Sequence, residues 1–166
     1  MQRRLEMEIV YLSKNLTDTE NLARTIAKGL FPGAVLSLDG DLGAGKTTFT
    51  KSLAATLNIK EKVSSPTFNI LKCYFDGYLP LYHIDAYRLE DGMNADIGLE
   101  EVIEGNGVCI IEWGRFIKEL IYQPLDIKIT ILNDTEREFK ITCNYTKYEK
   151  IMSLIKEGLY ENIITR

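Results

Sequence analysis

The residues Gly40-Asp41-Leu42-Gly43-Ala44-Gly45-Lys46-Thr47 fit the pattern GxxxxGK(S/T) at every fixed position. Average residue usage gives such a match about 1% odds in a chain of this size. The spelling suits a phosphate cradle. Successive backbone N–H groups can curl around an anion only where glycines keep side chains out of the way. A helix that starts directly afterwards points its N-terminus at the same anion. Lys46 then reaches the β and γ phosphates as a point charge, and the Thr47 hydroxyl is a ligand of the kind Mg²⁺ prefers.

A phosphate loop that does chemistry also needs an acid for the metal and a group that orients the attacking water. Two acids close apolar strand-like runs. Glu112 ends Val108-Cys109-Ile110-Ile111-Glu112, and Asp85 ends Leu81-Tyr82-His83-Ile84-Asp85. Ligands of open α/β sheets collect at the carboxyl ends of strands, so both positions are suitable. Either acid could orient the water. His83, the single histidine, reads as a structural strand residue or as a general base, and Trp113 as a core aromatic or a lid.

The elements around these residues follow from periodicity. Met7 to Leu12 reads as a strand. Thr17 and Glu20 have capping-box spacing before a helix that carries Leu22, Ile26 and Leu30 on one face and stops at Pro32-Gly33. Ala34 to Leu38 is a short apolar run of the buried-strand type. The glycine loop follows, then a helix from Lys46 to about Leu57. Phe68 to Phe75 and Leu79 to Asp85 form one hairpin, with Asp76-Gly77 as its turn. Ile127 to Ile131 and Phe139 to Cys143 form a second, turning at Asn133-Asp134. The acidic stretch from Gly92 to Glu104 reads as a short helix. An amphipathic helix over about 147–160 carries Ile151, Leu154 and Ile155 inward. The fold class is therefore α/β, a P-loop domain with a mixed, largely parallel central sheet flanked by helices. The whole chain, 1–166, reads as one domain with its core over about 7–143.

Composition narrows the function. Hydrophobic residues at 45% and charged residues at 27% belong to an ordinary globular protein. A formal net charge of −4 argues against a broad nucleic-acid grip by counterion release, so any RNA contact is local or made through a partner. No stretch approaches the roughly 18 apolar residues of a membrane span, and the charged N-terminus lacks an apolar signal region, which points to the cytoplasm. Cys73, Cys109 and Cys143 show no metal-binding spacing and read as buried thiols.

Taken together, the loop Gly40 to Phe49, Val63-Ser64-Ser65-Pro66-Thr67-Phe68, His83-Ile84-Asp85-Ala86-Tyr87-Arg88-Leu89 and Ile111-Glu112-Trp113 resemble the TsaE family. These are P-loop ATPases of the bacterial system that makes threonylcarbamoyladenosine beside the tRNA anticodon. The likeness covers most of residues 17–143. It implies that Gly43, Ala44, Gly45, Lys46, Thr47 and Thr48 bind ATP, that Thr47 and Glu112 hold Mg²⁺, and that Asp85 is needed for hydrolysis. Ser65-Pro66-Thr67 matches a switch-like loop near the γ phosphate, and Thr19 and Arg137 match residues near the nucleotide. The implied partners are TsaD and TsaB, whose complex is reset by ATP hydrolysis; isolated turnover is expected to be weak. One departure stands out. Where the family usually has proline after the tryptophan, this chain has Gly114, which predicts a more flexible loop there. Rival readings are a small-molecule kinase, for which no arginine-rich lid is visible, and a nucleotide-gated adaptor that does not hydrolyse. A guanine-specific switch lacks its base-reading motif.

Overall fold

The apolar runs assemble into a sheet whose centre is buried on both faces and whose margins are not. A computed structural model describes residues 4–66, 69–89 and 98–164. Strand β1 (Arg4–Ser13) leads into helix α1 (Leu16–Ala27), strand β2 (Val35–Gly40) and helix α2 (Lys46–Thr56). Strands β3 (Leu71–Tyr74) and β4 (Leu81–Asp85) pair antiparallel, and the short helix α3 (Leu99–Ile103) precedes β5 (Val108–Glu112). Strands β6 (Leu125–Ile131) and β7 (Arg137–Tyr145) form the second hairpin before helix α4 (Glu149–Gly158).

These strands form a seven-stranded sheet in the order β1-β7-β6-β2-β5-β4-β3. The centre, β6-β2-β5-β4, is parallel, and the outer pairings are antiparallel. The mixed sheet expected from the sequence is thus the one observed. β5 is buried along its whole length, which is why its residues Val108 to Ile111 are uninterruptedly apolar. Alternation divides the central strands between two cores. Leu36 and Leu38 pack with Leu22 and Ile26 of α1 and with Phe49 and Leu53 of α2. Val35, Cys109 and Ile111 enter a smaller core with Leu99, Ile103 and Ile117 on the other face.

Several local details differ from the sequence reading. Helix α1 is capped by Asn15, whose Oδ1 accepts from the Asp18 amide at 2.9 Å. An Asx side chain satisfies an orphan amide at least as well as the threonine of the expected capping box, so the helix starts before Thr17. It also ends at Ala27, ahead of Pro32-Gly33. The chain turns at Gly29, where a Cβ would lie 2.7 Å from Ile151 Cγ1 of α4. Helix α4 starts at Glu149 after a 3₁₀ turn over Thr146–Tyr148, and buries Ile151, Met152 and Ile155 while Leu154 is only half-buried. The helical stretch expected over 92–104 is realised at Leu99–Ile103; its residues 92–97 lie outside the described residues.

The cysteines also split. Cys109 and Cys143 are buried as expected, but Cys73 is exposed, because it lies on the edge strand β3, which has a neighbour on one side only. Burial pushes the Cys109 thiol up to about 12 and raises Cys143 as well, so neither offers a thiolate near neutrality. A thiol-specific disulfide reagent is therefore expected to titrate Cys73 alone in the native protein and all three thiols after denaturation. Two fast-reacting thiols in the native state would contradict this packing. Among the described residues, no helix is long and apolar enough to cross a membrane.

Candidate functional site

Parallel alignment brings three strand ends to one edge of the sheet. Leu38 of β2 is in register with Glu112 of β5, and Glu112 with Asp85 of β4. The phosphate-loop pattern occupies the turn between β2 and α2 at this same edge. Gly43 and Gly45 adopt φ of +81° and +104°, in the left-handed region that L side chains rarely enter. Gly40 is required for a different reason. A Cβ there would meet Ala44 Cβ and the Ile129 carbonyl oxygen at 3.0 Å each. Ala44 is buried beneath the turn, and α2 begins immediately after Gly45.

Lys46 is held on several sides. Its ammonium donates to the Gly40 carbonyl at 2.7 Å, lies 3.8 Å from Glu112 Oε1, and sits 4.4 Å from the centre of the Trp113 ring. Glu112 is itself buried, and its Oε2 meets His83 Nε2 at 2.5 Å. Asp85 is half-buried, and its Oδ1 accepts from the Tyr87 amide at 3.1 Å. Burial raises the Asp85 carboxyl above the ordinary aspartate range. The Tyr87 amide opposes that shift, while the neighbouring Glu112 adds to it.

Around these groups lies a cleft of about 670 Å³, lined by Gly43, Gly45, Lys46, Thr47, Thr48, Ser65, Asp85, Glu112 and Trp113 among others. Most residues singled out from the sequence are therefore gathered in one place. Thr19 is not: it is buried in α1, shares a hydrogen bond of 2.7 Å with the Ser13 hydroxyl, and does not line the cleft. Arg137 braces the loop from outside, donating to the Gly43 carbonyl at 3.3 Å and to the Asn133 carbonyl at 2.7 Å. Thr67 lies outside the described residues, next to Pro66, which is buried. A second concavity of about 520 Å³ lies on the opposite sheet face, beside Ser37, Asp126 and Lys128, and is not lined by residues 41–47 of the phosphate loop.

Trp113 is a wall of the cleft rather than a core residue. It adopts φ +59°, stacks on Phe116 at 6.0 Å with a 6° tilt, and takes the edge of Tyr87 at 5.0 Å. Gly114 also has a packing role. It is buried, and a Cβ there would stand 2.8 Å from Ile121 Cδ1 and 3.0 Å from Ser37 Oγ. The glycine permits close packing beneath Trp113. Gly114→Ala is expected to cost about 1–3 kcal/mol through overpacking, read as a lower midpoint in denaturant unfolding. An unchanged midpoint would show that Ile121 gives way freely.

The oxygen donors Thr47, Asp85 and Glu112 suit a hard cation such as Mg²⁺. Among the described residues no group of three or more His, Cys, Asp or Glu could hold a metal ion. That donor set fits a magnesium carried in with phosphates, since Mg²⁺ is commonly bound through one or two carboxylates plus substrate oxygens.

Residues 13–141 match the sequence profile of the family described as threonylcarbamoyl adenosine biosynthesis protein TsaE. The chain belongs to the TsaE family. A TsaE of Bacillus subtilis (strain 168), described as a tRNA threonylcarbamoyladenosine biosynthesis protein, is 46% identical over 145 residues, covering 87% of this chain and 91% of its own length. A TsaE of Treponema pallidum (strain Nichols), described in the same words, is 42% identical over 134 residues, or 78% of this chain and 97% of its own. The crystal structure of Bacillus subtilis YdiB superposes with a TM-score of 0.80 at 40% identity, covering 92% of this chain and 97% of that one. The matched region contains the phosphate loop, Asp85 and Glu112, so the TsaE fold and the cleft coincide.

What the sequence missed at this site is the place of His83 and of Tyr87 and Trp113. A signal for His83 existed. Leu81, His83 and Asp85 alternate with Tyr82 and Ile84, which puts His83 on the same sheet face as the acid.

Proposed function

We propose that this TsaE member binds ATP with Mg²⁺ in the cleft, hydrolyses it, and serves tRNA threonylcarbamoyladenosine biosynthesis by resetting a complex of TsaD and TsaB. The observation that carries the reading is the cupped Gly43–Gly45 turn with Lys46 and Glu112 at its lip. Backbone amides of the turn and the N-terminus of α2 offer the triphosphate a preorganised anion site. Lys46 would exchange the Gly40 carbonyl for phosphate oxygens and keep its charge inside the cleft. Thr47 and Glu112 would hold the magnesium, which supplies charge neutralisation at the phosphates when bound. Asp85, at the neighbouring strand end, would orient the attacking water, and catalysis would rest on positioning.

The names of the relatives support the pathway, and partners of the same system are the natural receivers of a nucleotide-driven change at Ser65-Pro66-Thr67. The net charge of −4 supports a tRNA contact made indirectly or within that complex, and the cytoplasm is the proposed compartment. The test is phosphate release from ATP by this chain alone and with TsaD and TsaB. Slow release that the two partners accelerate is expected; release that is absent with and without them would overturn the hydrolytic reading.

A further inference from the structure

His83 is an enclosed polar side chain beside the cleft, and the proposed chemistry leaves it without a task. It is wholly buried, and its Nε2 lies 2.5 Å from Glu112 Oε2. Its Nδ1 is buried with no hydrogen-bond partner among the described residues. A carboxylate only accepts hydrogen bonds, so the proton of this contact belongs to Nε2.

The consequence falls on Glu112. Its two oxygens are divided between two neighbours: Oε2 is taken by His83, while Oε1 faces Lys46 at 3.8 Å. Glutamate has three side-chain torsions and would otherwise sample several orientations. A charge-assisted bond from a ring with no room to move holds one of them. His83 stands opposite Ile110 in the β4–β5 register, two residues before Glu112, so the strand pairing itself delivers the imidazole to the carboxylate. The neighbouring Asp85 has a backbone amide as its partner instead.

We propose that His83 is a positioning residue that locks the Glu112 carboxylate through Oε2, leaving Oε1 turned toward Lys46 to meet the metal carried by the nucleotide. The inference rests on the proposed binding of Mg²⁺ and nucleotide at this cleft. Residues that orient a metal ligand typically contribute tenfold or more to metal affinity. The effect should therefore appear in the magnesium dependence of nucleotide binding and not in the binding of nucleotide without magnesium.

Calorimetric titration of the full chain with ADP, in EDTA and across a magnesium series, tests this with two polar variants. His83→Gln can place an amide N–H near the Nε2 position, whereas the shorter side chain of His83→Asn cannot reach Glu112 from there. The expected result is that H83N needs about tenfold more magnesium for half-maximal enhancement of ADP binding, that H83Q stays within about threefold of wild type, and that all three bind ADP alike in EDTA. Thermal unfolding without nucleotide identifies general damage. Equal magnesium dependence in all three proteins would overturn the positioning role while leaving the nucleotide site standing. An equal loss in EDTA would reduce His83 to a packing residue. A wild-type chain that binds no ADP in any magnesium concentration would remove the functional reading and this inference together.

Discussion

Lys46→Ala is expected to weaken ATP binding about 10- to 100-fold and to leave a folded protein. An ammonium that bonds to phosphate oxygens makes charge-assisted hydrogen bonds worth about 1.5–3 kcal/mol, and each 1.4 kcal/mol is about a factor of ten in affinity. The magnitude belongs to the upper part of that range because Lys46 is only 8% exposed, so water cannot easily replace it. The fold should survive. Removing the ammonium takes away its bond to the Gly40 carbonyl and its approach to Glu112, and Glu112 keeps His83. Two readouts separate the effects. Unfolding without nucleotide reports the fold, and the upward shift of the midpoint on adding ATP and magnesium reports binding. A variant that shifts as far as wild type would show that the loop does not grip phosphate.

Asp85→Asn should act on turnover rather than on binding. Groups that orient or deprotonate a nucleophile contribute roughly 10²–10⁴-fold to rate, so a loss of about 100-fold or more in phosphate release is expected at nearly unchanged ATP affinity. Asparagine retains an oxygen for the Tyr87 amide, which keeps the local turn. The pH dependence follows from the direction of the shift. Burial raises the Asp85 carboxyl, so the ionised form that turnover requires is lost, as pH falls, above the usual aspartate value of about 3.9. The same shift means that ionised Asp85 costs folding stability at neutral pH, a cost absent below the unfolded-state value. Asp85→Asn is therefore expected to be no less stable than wild type at neutral pH, and its residual activity should lack that acid limb. A raised KM with unchanged kcat would move Asp85 out of the hydrolytic step.

Much of this site was legible because it depends on short-range chemistry. The glycines at 43 and 45 announce left-handed turns, Lys46 and Thr47 follow in fixed spacing, and Asp85 and Glu112 end recognisable apolar strands. The sheet was legible too, since β5 is uninterruptedly apolar and β6 and β7 alternate. What stayed hidden depends on which strands are neighbours. Nothing local states that β4 lies beside β5, and without that pairing His83 has no visible reason to touch Glu112. The same applies to Gly114, whose need for glycine comes from Ile121 and Ser37 and not from its own turn. Cys73 was misread because composition does not reveal that β3 is an edge strand. The cap of α1 was a closer contest, with Asn15 and Thr17 both competent and the earlier residue taking the position.

Titration calorimetry of the intact chain with ATP and magnesium tests the central claim most directly. Saturable one-to-one heat that Lys46→Ala abolishes or weakens at least tenfold is the predicted result. No heat above dilution with adenine nucleotide and magnesium, or heat that Lys46→Ala leaves unaltered, would contradict the assignment of the cleft.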